Sequence, residues 1–167
     1  MLREGCIVDA IIISAHSREG NQLYFRVKMQ TCMDDSFGMI YLVEVTAANE
    51  QDLNAAGALL NGDEARVFGD SGYRGIERLK EHRHRNGDFF ITRRSGVTRQ
   101  LPGGSGLAKA KKIKASVRAK VEHPFRTIKR QFGYAKVCYR SLAKNTNRPY
   151  LLTAFNNMLI GERYLPA

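Results

Sequence analysis

With 167 residues and 43 % apolar content, the chain is long enough to bury a core and too apolar to be disordered throughout. Its net charge is +11, and the stretch from Lys109 to Lys144, with twelve Lys/Arg and the single acid Glu122, carries that entire excess, which favours a polyanionic partner such as nucleic acid. No run of about 20 apolar residues could span a bilayer. Three scattered cysteines without a Cys-x-x-Cys pair argue against a disulfide framework or zinc site, and Asp9 interrupts the N-terminal apolar run, so the expectation is a cytoplasmic chain with reduced thiols.

Gly5 to Ser14 is β-branched and apolar on both faces, as in a central strand, with Asp9 in its middle. Leu23 to Met33 and Met39 to Thr46 read as two further strands joined by the turn-forming Asp34-Asp35-Ser36-Phe37-Gly38. A helix capped by Asn49 or Asp52 is expected to run to about Leu60. Ala65 to Gly69 is a short strand that ends at Asp70, and Asp70-Ser71-Gly72-Tyr73-Arg74-Gly75 has the composition of a strand-to-helix turn.

A short helix over Ile76 to His82 and a fifth strand over Asp88 to Thr92 follow. Arg93 to Gly106, with five Gly or Pro, reads as a loop. Lys109 to about Phe132 is the long helical segment, with Val121, Phe125, Ile128 and Phe132 forming one apolar stripe. Tyr150 to Ile160 is apolar all round, as expected of a buried helix. The order β-β-β-α-β-α-β-α predicts an α/β fold of ribonuclease-H-like type, a mixed five-stranded sheet flanked by helices, over a single domain of residues 1–167.

Three acids stand out. A carboxylate amid isoleucines, as at Asp9, costs several kcal/mol if buried without a partner; an edge position or a hydrogen bond to a turn would also accommodate it. Asp70 suits a helix N-cap as well as a metal ligand. On an uninterrupted α-helix Arg118, Glu122 and Lys129 fall within about 40° of one another, beside the apolar stripe, although Arg118, Glu122 and Arg126 also suit ordinary surface pairing. Pro124 lies just after Glu122, where it removes one backbone bond and can kink the helix. Separated carboxylates of this kind can hold two divalent cations about 4 Å apart for phosphodiester chemistry, and carboxylate oxygens suit Mg²⁺ or Mn²⁺.

Arg118-x3-Glu122-x6-Lys129, within Arg-Ala-Lys-Val-Glu-His-Pro-Phe-Arg-Thr-Ile-Lys-Arg-Gln-Phe-Gly-Tyr, resembles the signature around the catalytic glutamate of DDE transposases of bacterial insertion sequences. Val67-Phe68-Gly69-Asp70-Ser71-Gly72-Tyr73-Arg74-Gly75 resembles that family's second-aspartate motif, and Ile7-Val8-Asp9-Ala10 its first. Tyr139 to Thr146 is similar to the segment after the glutamate helix. The resemblance covers about the C-terminal half of a full-length member, so an N-terminally truncated catalytic domain is expected. Within the matched part Gln30, Tyr41 and Gln51 stand where histidine is usual.

The resemblance implies metal-dependent cleavage at transposon ends followed by strand transfer to target DNA. It implies Asp9, Asp70 and Glu122 as catalytic metal ligands for two Mg²⁺ or Mn²⁺ ions. Arg118 and Lys129 would contact DNA, with Lys111, Lys112, Lys114, Arg126 and Arg130 adding backbone affinity. A homo-oligomer or association with a full-length transposase is the implied protein partnership, with no membrane partner. The alternative is a catalytically inactive remnant that only binds DNA.

Overall fold

The computed structural model describes residues 5–15, 26–82, 87–92, 116–117, 119–139 and 141–164. Five strands form one sheet: β1 (Gly5–Ile13), β2 (Val27–Asp34), β3 (Ile40–Ala47), β4 (Arg66–Gly69) and β5 (Asp88–Ile91), in the spatial order β3-β2-β1-β4-β5. β1 pairs antiparallel with β2 and β2 with β3, whereas β1–β4 and β4–β5 are parallel. This is the mixed, helix-flanked α/β sheet of a ribonuclease-H-like domain. The β2–β3 hairpin turns where the sequence predicts it, with Gly38 at φ 76°, a conformation that favours glycine.

Strand alternation divides the core between the two faces of the sheet. Ile7, Ile11 and Ile13 of β1, Met29 and Met33 of β2 and Phe68 of β4 pack on one face against Val121, Phe125, Ile128 and Leu152. Cys6, Val8, Cys32 and Val67 pack on the other face against Ala56, Leu59, Leu60, Tyr73 and Ile76. The first layer comes from two C-terminal helical segments: α2, the helical residues 119–126 that continue as a π-helix over Thr127–Gln131, and α3 (Leu142–Gly161). The second comes from the short helix α1 (Asp52–Ala55) and the turns around it.

Several local expectations change. The helix expected to reach Leu60 stops at Ala55 and gives way to turns, and the segment over Ile76 to His82 is two 3₁₀ turns. The helix near the C-terminus starts at Leu142, earlier than expected, with Ser141 capping it by accepting from Lys144 N. It is also not buried all round: Leu152, Asn156 and Ile160 face the protein, while Tyr150, Leu151, Phe155, Met158 and Leu159 are exposed. A helix laid against one side of a sheet can bury only one of its faces, whatever the composition of the other.

The expectation of reduced thiols is corrected for two of the three cysteines. Cys6 and Cys32 form a disulfide between β1 and β2, with Cα atoms 5.9 Å apart. Their 26-residue separation concealed it, but the register Val8↔Cys32 and Cys6↔Asp34 sets them diagonally on one face of adjacent strands. Cys138 is free and exposed. No helix among the described residues is long and apolar enough to cross a membrane. The loop expected over residues 93–106 and the first turns of the expected long helix, from Lys109 to 115, lie outside the described residues.

Candidate active site

β1 places Asp9 by simple alternation. Ile7 and Ile11 enter the layer covered by α2, so Asp9, at the position between them, falls on that same side of the sheet. In β4, Phe68 enters this layer and Val67 the opposite one. Asp70 continues in extended backbone (φ −75°, ψ 169°), which sets it two residues beyond Phe68 on the same side. Because Val8 is the register partner of Gly69, Asp9 and Asp70 each sit one residue beyond a matched pair on parallel strands about 5 Å apart.

The two carboxylates are half-buried and held by backbone amides. Asp9 Oδ1 accepts from Ala10 N at 2.8 Å. Asp70 Oδ1 accepts from Ser71 N, capping a 3₁₀ turn, and at 3.4 Å from Thr92 Oγ1, just past β5. The capping reading of Asp70 and its placement beside Asp9 are therefore both realised in one residue.

Tyr73, which sequence patterning did not single out, wedges the turn from the opposite face. It is buried against Val8 and Val67, and its hydroxyl donates to Oε1 of the buried Gln30 at 3.0 Å. Burial raises its pKa well above the ordinary tyrosine value, and the negative charges of Asp52, Asp9 and Asp70 add to the shift in that order. All three acids are thus close enough for the phenol to feel them.

A second support comes from Lys28, whose buried Nζ donates to Asp52 Oδ1 at 2.8 Å and to Glu50 O at 2.6 Å. The Asp52 carboxylate lies directly against Gly72, where any Cβ would collide with it. Gly75 then turns the chain away with φ 98°. The glycine-rich composition of this turn was legible in the sequence; the partners that brace it carried no local signal, since Gln30 is 43 residues from Tyr73 and Lys28 is 24 from Asp52.

Glu122 is exposed on α2, between the buried Val121 and the stripe residues Phe125 and Ile128. Its helix lies over the face that carries Asp9 and Asp70, anchored at its start by Lys120 Nζ, which donates to Asp35 O at 2.5 Å. The helix runs through Pro124 and turns π at Thr127, where each rotation takes more residues than in an α-helix. That shift removes the premise of a common azimuth for Glu122 and the half-buried Lys129. Arg126 and Arg130 are exposed, and Arg118, Lys111, Lys112 and Lys114 lie outside the described residues.

Asp9 and Asp70 are therefore brought side by side, with Glu122 on the same layer. Among the described residues no group of three or more His, Cys, Asp or Glu side chains is gathered so as to hold a metal ion. The adjacent carboxylate pair does fit the oxygen-donor chemistry of a hard divalent cation.

The transposase DDE domain family matches residues 1–158. That match spans the five strands, both aspartates, α2 and most of α3, and divalent metal ions and a DNA substrate are general features of the family. With a mixed sheet in the order β3-β2-β1-β4-β5 and aspartates at the ends of its two central parallel segments, the chain belongs to the DDE transposase family.

Proposed function

We propose that residues 1–167 are a transposase catalytic domain that cleaves DNA strands at transposon ends and joins the freed 3′-hydroxyl to target DNA. The observation that carries this reading is the pairing of Asp9 with Asp70 on adjacent parallel strands, under the helix that bears Glu122. Asp9, Asp70 and Glu122 would be the ligands of Mg²⁺ or Mn²⁺. The bound ions would supply Lewis acidity at the attacking and leaving oxygens of the phosphodiester.

The chain's own groups supply position. Ser71 N and Thr92 Oγ1 fix the Asp70 carboxylate, and Tyr73, buried on the opposite face, braces the turn through its bond to Gln30. Lys129, Arg126 and Arg130 on α2, with Arg118, Lys111, Lys112 and Lys114 before them, would hold phosphates on either side of the reacting bond. Oligomerisation, either with a second copy or with a longer transposase, belongs to the same proposal.

A second reading, a protein that binds DNA without turnover, is favoured by one observation: Glu122 is exposed and belongs to no three-acid group among the described residues. Nicking of supercoiled plasmid separates the two. The catalytic reading expects relaxation that requires Mg²⁺ or Mn²⁺, stops with EDTA and falls at least about 100-fold in Asp9→Asn, Asp70→Asn and Glu122→Gln. DNA binding with no nicking at any metal concentration would establish the second reading instead.

A further inference from the structure

The structure assigns a second nucleic-acid contact, a pocket at the β2–β3 turn, apart from the paired aspartates, that takes an unpaired nucleotide of a single DNA strand. It has a volume of about 400 Å³ and is formed where the β2–β3 turn meets the start of α2 and the end of α3. Phe37, Tyr164, Lys120, His123, Arg163 and Ser36 supply its chemistry.

Two of these side chains leave aromatic surface exposed. Phe37 and Tyr164 are 40 % and 55 % exposed, yet their rings meet edge to face with centroids 5.2 Å apart and planes at 88°. Such a pair fixes two aromatic surfaces at right angles and leaves ring area open for a flat partner to stack on. Lys120 and Arg163 add positive charge, and His123 adds a further ring. No acid is among the described lining residues.

Of the acids on the β2–β3 turn, Asp34 accepts through Oδ1 from the backbone amides of Ser36 and Phe37 at 2.8 and 2.6 Å, and Asp35 directs its carboxylate to Arg66 at 3.5 Å and Ser36 Oγ at 3.2 Å while its backbone carbonyl meets Lys120. Lys120 uses one of its three N–H donors on that carbonyl. An aromatic surface beside cations and a hydroxyl matches a nucleotide, whose base stacks and whose phosphate pairs with charge. A paired base would keep its face covered by its neighbours, so the fitting form is single-stranded.

Position separates this pocket from the paired aspartates, while Lys120 and His123 place it beside Glu122 on α2. Asp35 N donates to Gly5 O at 3.1 Å, which fixes the pocket at the start of β1. Asp9 lies four residues further along that strand, about 13 Å away at the usual strand rise. The assignment goes beyond the catalytic reading and does not depend on it.

The test is binding of a short oligothymidylate carrying one 2-aminopurine, in EDTA so that metal chemistry plays no part. Stacking should quench the 2-aminopurine on addition of protein. Phe37→Leu combined with Tyr164→Ala should weaken binding about tenfold and abolish the quench. Arg163→Gln alone should weaken binding about fivefold, with circular dichroism and the urea midpoint unchanged in each variant. Plasmid nicking by the Phe37/Tyr164 variant, which keeps Asp9, Asp70 and Glu122, reads catalysis separately from this contact. Persistence of both affinity and quench in the Phe37/Tyr164 variant would overturn the assignment. Thymidine 5′-monophosphate competing as well as the oligonucleotide at equal concentration would overturn the strand as the ligand in favour of a free nucleotide.

Discussion

Tyr73 shows how much a single buried side chain decides at the site. It spans from the turn after Asp70 to Gln30 in β2, so it ties the parallel and antiparallel halves of the sheet together just beneath the aspartates. Removing its hydroxyl leaves the Gln30 carbonyl oxygen without that donor, and Tyr73→Phe should lower stability at neutral pH by about 1–2 kcal/mol. The pH dependence has a definite sign. Since folding raises the tyrosine pKa above 10.0, the stabilisation is complete below pH 10 and is lost as the pH rises further and the unfolded phenol ionises. Each such group contributes a slope of up to about 1.4 kcal/mol per pH unit in that range. Tyr134, also raised by burial, shares the decline, so Tyr73→Phe should flatten the alkaline fall without eliminating it, as measured by urea unfolding from neutral to alkaline pH.

Among the elements, α3 departs furthest from its apparent composition. Leu152 and Ile160 enter the protein, while Leu151, Phe155, Met158 and Leu159 remain exposed on the far side. Leu152→Ala should therefore cost about 2–4 kcal/mol, and Leu151→Lys or Met158→Lys should stay within about 0.5 kcal/mol of the parent in the same urea titration. Equal losses at Leu152 and Leu151 would mean that α3 is enclosed on both sides. Pro149 sits within this helix, and the buried Asn145 one turn before it turns its side chain to other work, bonding Tyr139 and Ser141 and so fixing the loop that leads in. α2 shows the same dominance of packing, since its stripe of Val121, Phe125 and Ile128 docks on the sheet despite Pro124 and the π turn.

Across the whole molecule, charge and fold are segregated. The fifteen acids outside the basic stretch are balanced by fifteen Lys/Arg, and the net +11 belongs to the segment that includes α2, laid over the aspartate-bearing face. An electrostatic footprint of this kind makes DNA affinity fall linearly in log–log terms with salt. Replacing Lys111, Lys112 and Lys114 singly by Ala should reduce the magnitude of that slope by about one for each lysine that neutralises a phosphate, with little change in sequence preference. Fluorescence anisotropy across a salt series reads this directly, and unchanged slopes would remove these lysines from the DNA contact.

Strand alternation was enough to read β1, β3, β4 and β5 and the β2–β3 turn, because each depends on residues within a few positions of one another. It also put Asp9 inside a central strand and Asp70 at a strand end, and the motif around each carried the family resemblance. Which residues brace those acids was decided only in three dimensions: Gln30 for Tyr73, Lys28 for Asp52 and Thr92 for Asp70. The Cys6–Cys32 link, the exposed face of α3 and the π turn that shifts Lys129 relative to Glu122 were likewise settled there. The division has one physical cause. Periodicity records which face a residue presents within its own element, whereas strand register and helix docking, set by the packing of the whole core, determine what that face meets.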